Sequence, residues 1–198
     1  MIGRRKHSKH RSKHTINFFS EKNGCHMWCE SFLERRFALH CEFDESVECY
    51  STQPEHFSVF GKRYTPDFLV QYKSGLAEYV EVKNSSYMDD DFFLKHKKRK
   101  LVIFETTRLD LVLISEEDFN KVESENYELL RQYRDIDTTA LIDEINRLPK
   151  RLTLSMLEKA MGKISGTTRA HAWALVAKQH YHFDVSKPFS ADSMLMRP

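Results

Sequence analysis

The stretch Arg63-Tyr64-Thr65-Pro66-Asp67-Phe68-Leu69-Val70-Gln71-Tyr72-Lys73-Ser74-Gly75-Leu76-Ala77-Glu78-Tyr79-Val80-Glu81-Val82-Lys83 decides the fold. Two runs rich in β-branched and aromatic residues flank Lys73-Ser74-Gly75, where Gly offers the positive φ that a tight hairpin turn requires. The predicted strands are 63–72 and 78–83. In the second, Tyr79, Glu81 and Lys83 alternate with Val80 and Val82, so Glu81 and Lys83 emerge on one face while Val82 faces the core.

Working outward, Trp28, Phe32, Leu33, Phe37 and Leu39 recur at helical spacing and predict a helix over 27–40. Short strands are expected at 47–50 and 56–60, around Gln53-Pro54. Downstream, a helix is predicted over about 91–106, with Phe92, Phe93, His96, Lys100, Ile103 and Phe104 as its covered side; a strand at 101–105 is the alternative. Asp89, Asp90 and Asp91 precede it and suit an N-cap. The apolar run at 109–114 reads as a central strand, and Ser115-Glu116-Glu117-Asp118 as the cap of a further helix. Helix, strands, hairpin, helix, strand is an α/β order: a mixed sheet flanked by helices. Beyond a charged connecting helix at 123–136, helices at 138–148, 153–161 and 167–179 and a hairpin from 180–185 and 193–196 predict a small winged-helix-like domain. The expected division is 1–20 arm, 21–122 core domain, 123–136 connector and 137–198 C-terminal domain.

Composition bounds the function. Hydrophobic residues make up 40% and charged residues 30%, as in a globular chain. No apolar run reaches membrane-span length, and the charged N-terminus has no apolar stretch behind it, so neither a membrane segment nor a secretory leader is expected. Cys25, Cys29, Cys41 and Cys49 fit no standard zinc spacing and read as reduced thiols. The net charge of +2 hides an asymmetry. Arg4, Arg5, Lys6, Lys9, Arg11 and Lys13 lie within the first 14 residues, and removing those six from 31 basic residues leaves the rest at a net −4 against 29 acids. So dense a basic arm suits a polyanion, because each cation placed on a phosphate releases counterions. Lys97, Lys98 and Arg99, within a second basic run from Lys95 to Lys100, suit the same role; the other reading is a solvated helix face.

Asp67 on one strand, with Glu81 and Lys83 on its partner, is a set suited to phosphodiester cleavage. Hard carboxylate oxygens hold Mg²⁺, for which Mn²⁺ substitutes, and the Val82 backbone carbonyl is a further candidate ligand. A lysine orients or deprotonates the attacking water. Pro66-Asp67 followed by Glu81-Val82-Lys83 matches the PD-(D/E)xK nuclease signature. The same residues also suit the polar face of an ordinary amphipathic hairpin.

The wider pattern is more specific. Ser31-Phe32-Leu33-Glu34, Val47, Gln53-Pro54, Tyr64 to Val70 and Val80 to Lys83 together resemble the TnsA family of transposon endonucleases, over about residues 25–120. The short chain is also similar to the compact members found in CRISPR-associated transposons. The resemblance implies a restriction-endonuclease-like core in a bacterial, cytoplasmic protein. It makes Glu34 the helical carboxylate, Asp67 the central metal ligand, Glu81 the second ligand and Lys83 the catalytic lysine. Glu30, one turn before Glu34, is the fallback. Some family members carry Gln at the position of Glu81; Glu adds a negative charge that favours a divalent cation. The resemblance further implies a metal-dependent endonuclease subunit of a heteromeric cut-and-paste transposase. It would cut double-stranded DNA at the 5′ ends of the element, beside a TnsB-like DDE transposase, and contact a TnsC-like AAA+ regulator through its C-terminal domain. The helix at 167–179 would present Thr168, Arg169, His171 and Lys178 there. Two other readings fit the same residues: a free-standing restriction or repair nuclease, and a non-catalytic DNA- or protein-binding module on the same fold.

Overall fold

The computed structural model describes residues 15–198, so the basic arm from Arg4 to Lys13 lies outside the described residues. The chain divides into two compact units, the first ending at Phe119 and the second running from Asn120 to Pro198.

The first unit opens with an antiparallel hairpin, β1 (Ile16–Ser20) and β2 (Cys25–Cys29). Helix α1 (Phe32–Phe43) follows, then β3 (Val47–Thr52), the short pair β4 (Phe57–Val59) and β5 (Lys62–Tyr64), and the hairpin β6 (Phe68–Tyr72) and β7 (Ala77–Val82). Helix α2 (Asp90–Thr107) leads back to β8 (Asp110–Ile114). The main sheet has the order β3-β6-β7-β8. Strand β6 runs antiparallel to both β3 and β7, whereas β7 and β8 are parallel. The parallel step requires a crossover, and α2 supplies it. The architecture is mixed α/β, a mixed sheet flanked by helices.

Alternation along β7 sorts the two faces. Val80 and Val82 join Ala38 and Cys41 of α1 and Phe68 and Val70 of β6 in one core, where Phe37 and Phe68 meet edge to face at 4.8 Å. Phe68 is fully buried, which contributes about 1.5–3 kcal/mol. Tyr79 points the other way, onto Ile103 of α2, Leu111 of β8 and Phe57. Along α2 the covered or partly covered residues include Phe92, His96, Arg99, Ile103 and Thr107, spaced by three or four, with Val102 beside them. The helix matches the expected 91–106 to within a residue at each end, and Asp89 caps it by accepting from the Phe92 N–H at 2.8 Å. Its covered stripe is narrower than expected: Phe93, Lys100 and Phe104 are exposed.

Three expectations are corrected. The helix predicted over 27–40 begins only at Phe32, because Met27 to Cys29 belong to β2. Residues 16–20, placed in the lead-in arm, form β1. The strand predicted over 63–72 is two strands, interrupted at Thr65-Pro66-Asp67, where Pro66 has no N–H to give a ladder.

Ser115 caps only a single 3-10 turn, Glu116–Asp118. In the second unit, Asn120 caps α3 (Lys121–Leu130), which takes the place of the predicted connector. A 3-10 turn at Thr139–Leu141 leads into α4 (Ile142–Asn146), followed by β9 (Arg151–Thr153), α5 (Leu154–Met161), α6 (Arg169–Ala177) and β10 (Met194–Met196). Thr153 caps α5 as its position predicts. The core is built by Leu154, Leu157, Met161, Leu175 and Leu195, all fully buried. The predicted terminal hairpin is replaced: β10 pairs antiparallel with β9, and only His182 bridges to Met196. The buried Asn126 amide donates to the Val185 and Lys187 carbonyls at 2.9 and 2.8 Å and accepts from the Phe189 N–H at 2.9 Å, tying the C-terminal segment to α3. Among the described residues no helix is long and apolar enough to cross a membrane.

Candidate active site

Asp67 sits where β6 has not yet begun. Its N–H still donates to the Val80 carbonyl at 3.0 Å, and its carbonyl accepts from Gln53 at 2.7 Å. Two residues further along β7, its carboxylate oxygen Oδ2 accepts the Val82 N–H at 2.8 Å. A side chain thus completes a ladder that the backbone no longer supplies. Burial pushes the Asp67 carboxyl up to about 7; the charge of Glu34 adds to this, the Val82 hydrogen bond opposes it, and Glu81 and Glu30 raise it further. Glu34, Glu81 and Glu30 are therefore close enough to disfavour the charge on Asp67.

Glu34 lies in the first turn of α1, where it is 9% exposed. Its oxygens accept from the Ser31 hydroxyl at 2.9 Å and the Glu30 N–H at 2.7 Å, while Ser31 accepts the Glu34 N–H at 3.1 Å. That is a reciprocal helix cap, so Glu34 has a structural task whatever else it does. Glu30 lies just before the helix, and its charge acts on Asp67.

Glu81 is 8% exposed and turned toward α2. Its Oε2 accepts from the Tyr64 hydroxyl at 3.0 Å and from His96 Nδ1 at 2.9 Å, and its Oε1 accepts from Arg99. A carboxylate can only accept, so Nδ1 of His96 carries the proton. Burial works against the charge of Glu81, but the His96 hydrogen bond, the Arg99 guanidinium and the Tyr64 hydroxyl outweigh it and hold the carboxyl below its ordinary value. The Arg99 guanidinium also stacks over the Tyr64 ring at 4.3 Å. Burial first, and then Glu81 and Asp67, push the Tyr64 phenol far up, so it acts only as a neutral donor. Lys83 closes β7: its N–H donates to the Ile114 carbonyl at 2.9 Å. Its ammonium lies over the Tyr87 and Phe92 rings, at 5.4 and 5.8 Å.

The structure therefore brings Glu34, Asp67 and Glu81 within electrostatic reach and sets Lys83 at the end of the same strand. Among the described residues no three His, Cys, Asp or Glu gather as a ready cage for a metal ion, the four unpaired cysteines included. The donor set still fits a divalent cation in its chemistry, since the hard oxygens of Glu34, Glu81 and Glu30 act on the buried Asp67 carboxylate. Of the basic run, Lys97 and Lys98 are exposed, whereas Arg99 is only 23% exposed and committed to Glu81, away from the solvent face they share. In the second unit Arg169 pairs with Glu158 at 3.1 Å, Thr168 and His171 form a capping box, and Lys178 ends α6.

Sequence reasoning missed the roles of His96 and Tyr64. The spacing of His96 to Arg99 on a covered helix stripe was the available signal, but their common partner lies in another strand. No family model matches the chain, and no curated protein matches its sequence.

Proposed function

We propose that this protein is a Mg²⁺-dependent DNA endonuclease of the TnsA type, the subunit of a heteromeric transposase that cuts the 5′ ends of the element. The observation that carries the reading is the carboxylate group around Asp67, whose charge is raised in cost by Glu34 and Glu81, at the end of the hairpin that also bears Lys83. The order α1, β3, β6, β7, α2, β8 is in keeping with a restriction-endonuclease-like core. Helices α4 to α6 and the β9–β10 pair of the second unit are in keeping with a winged-helix-like domain, the part we assign to a TnsC-like AAA+ regulator.

Asp67, Glu81 and the Val82 carbonyl would hold the cation, with Glu34 beside them. When bound, it supplies Lewis-acid polarisation of the scissile phosphate and lowers the pKa of the attacking water. Lys83 orients that water and offsets phosphate charge. Lys97, Lys98 and the arm from Arg4 to Lys13 hold the flanking DNA through its phosphates, fixing register rather than reading bases.

In a complex assembled with its DDE transposase and AAA+ partners on transposon-end DNA, Asp67→Ala and Lys83→Ala are each expected to lower 5′-end cutting by about 10²-fold or more. Cutting at the wild-type rate by either variant sinks the assignment. Specific cutting without partners would point instead to a free-standing restriction or repair nuclease. One observation favours a second reading, a non-catalytic DNA- or protein-binding module: Glu81 is already paired with Arg99 and hydrogen-bonded to His96. That reading expects no metal-dependent cutting from the wild type in any assembly.

A further inference from the structure

The Glu81 carboxylate makes three side-chain hydrogen bonds, to Arg99, His96 and Tyr64. Arg99 and His96 lie three apart on the covered stripe of α2, so one helix holds both oxygens. Side-chain exposures of 10% for Glu81 and 23% for Arg99 leave little solvent to screen the pair. The Tyr64 ring beneath the guanidinium at 4.3 Å and the Tyr64 hydroxyl on the same carboxylate close a ring of three side chains around Glu81.

Such a carboxylate is poorly placed for a second cation. Mg²⁺ demands short bonds and near-octahedral geometry, and a guanidinium already on one oxygen both fills a lone pair and repels the dication. Asp67, meanwhile, lies among other carboxylates and accepts only a backbone N–H. Arg99 thus pairs with Glu81, while the charges acting on Asp67 are those of carboxylates.

We propose that α2 latches the site: Arg99, supported by His96, occupies Glu81 and must release it before Glu81 can share a divalent cation with Asp67. The inference rests on the reading of Asp67 and Glu81 as metal ligands. Released, Arg99 is a guanidinium beside a phosphate-cutting centre, so the polyanionic backbone of bound DNA is the ligand chemistry suited to draw it off. Arg99 is then a positioning residue, and metal loading is coupled to DNA engagement rather than constitutive.

The test uses the full chain without DNA and Mn²⁺ alone as probe, with binding read by calorimetry and by the electron paramagnetic resonance of free Mn²⁺. Arg99→Gln, and Arg99→Met, which keeps the aliphatic stem over Tyr64, are expected to bind Mn²⁺ at least about fivefold more tightly than the wild type. Arg99→Lys keeps the charge and is expected to stay near the wild type. Lys98→Gln removes an equal but exposed charge and is expected to change affinity by no more than about twofold. Adding Asp67→Asn is expected to abolish the gain. Whichever Arg99 variant retains a cooperative thermal melt decides the matter. Unchanged or weaker binding without Arg99 overturns the latch alone, provided that wild-type binding still depends on Asp67. A gain that survives Asp67→Asn, or no Mn²⁺ bound by any variant, overturns the latch together with the metal-site reading.

Discussion

Asp67 shows how burial among carboxylates burdens a single side chain. Its carboxyl is raised from 3.8 to about 7, so the folded protein holds that proton more tightly than the unfolded chain does. Without metal, stability is therefore expected to fall as pH rises from about 4 toward 7, and to stay reduced above it. Asp67→Asn keeps an oxygen for the Val82 N–H but cannot ionise. In EDTA its melting temperature is expected to exceed that of the wild type at pH 8, by roughly 2–4 °C per kcal/mol of relieved repulsion, and to match it at pH 4. Equal melting temperatures at pH 8 would contradict the crowding of charge around Asp67. The sequence made Asp67, Glu81 and Lys83 readable because a strand period of two puts the last two on one face whatever surrounds them. What surrounds them was not readable. Arg99 looked like one more cation in a basic run, and only the rotation of α2 distinguishes it from Lys97 and Lys98, its exposed neighbours.

The hairpin β1–β2 and helix α1 are joined through one buried carboxylate. Glu42, 3% exposed, accepts from the Ser20 hydroxyl, from the Tyr50 hydroxyl at 2.7 Å and from the Glu21 N–H at 3.1 Å. Glu42→Ala leaves two hydroxyls and the Glu21 and Lys22 N–H groups without this acceptor, and is expected to destabilise the protein by about 3 kcal/mol. The check is a urea titration, in which the midpoint falls while the slope stays constant. This hairpin is also where sequence reading failed. Trp28 and Phe32 fit a helical spacing, and the inward positions of β2 are Cys25, Met27 and Cys29, which carry little strand signal. The overlooked clue was Asn23-Gly24, with Gly24 at φ +59°, a strong local mark of a hairpin turn. Helix α2 and the β6–β7 hairpin were readable because their covered positions keep one period throughout. The link between β5 and β6 was not, since Pro66 interrupts a run whose side chains continue to alternate.

Taken as a whole, the chain carries two separate electrostatic characters: an arm of six cations and a remainder with net negative charge. Neutralising Arg4, Arg5, Lys6, Lys9, Arg11 and Lys13 is expected to weaken DNA binding and to flatten its dependence on salt. If all six meet phosphates, the logarithmic slope falls by roughly 5. An unchanged slope across a salt titration would remove the arm from the interface. The parallel pairing of β7 with β8 governs something else, the order in which the first unit assembles. Phe68 finds Val80 across a short turn, whereas Val82 meets Ile114 only after the whole of α2 has been laid down between them. Near contacts in sequence close in microseconds, but distant ones must first overcome the entropy of a long loop. The hairpin that bears Asp67 and Glu81 is therefore expected to belong to the folding nucleus, with β8 docking late. Truncating Val70 is expected to slow refolding, and truncating Leu111 chiefly to speed unfolding, in stopped-flow chevrons. A nascent chain would thus possess its acidic residues in register before Arg99 arrives to restrain them.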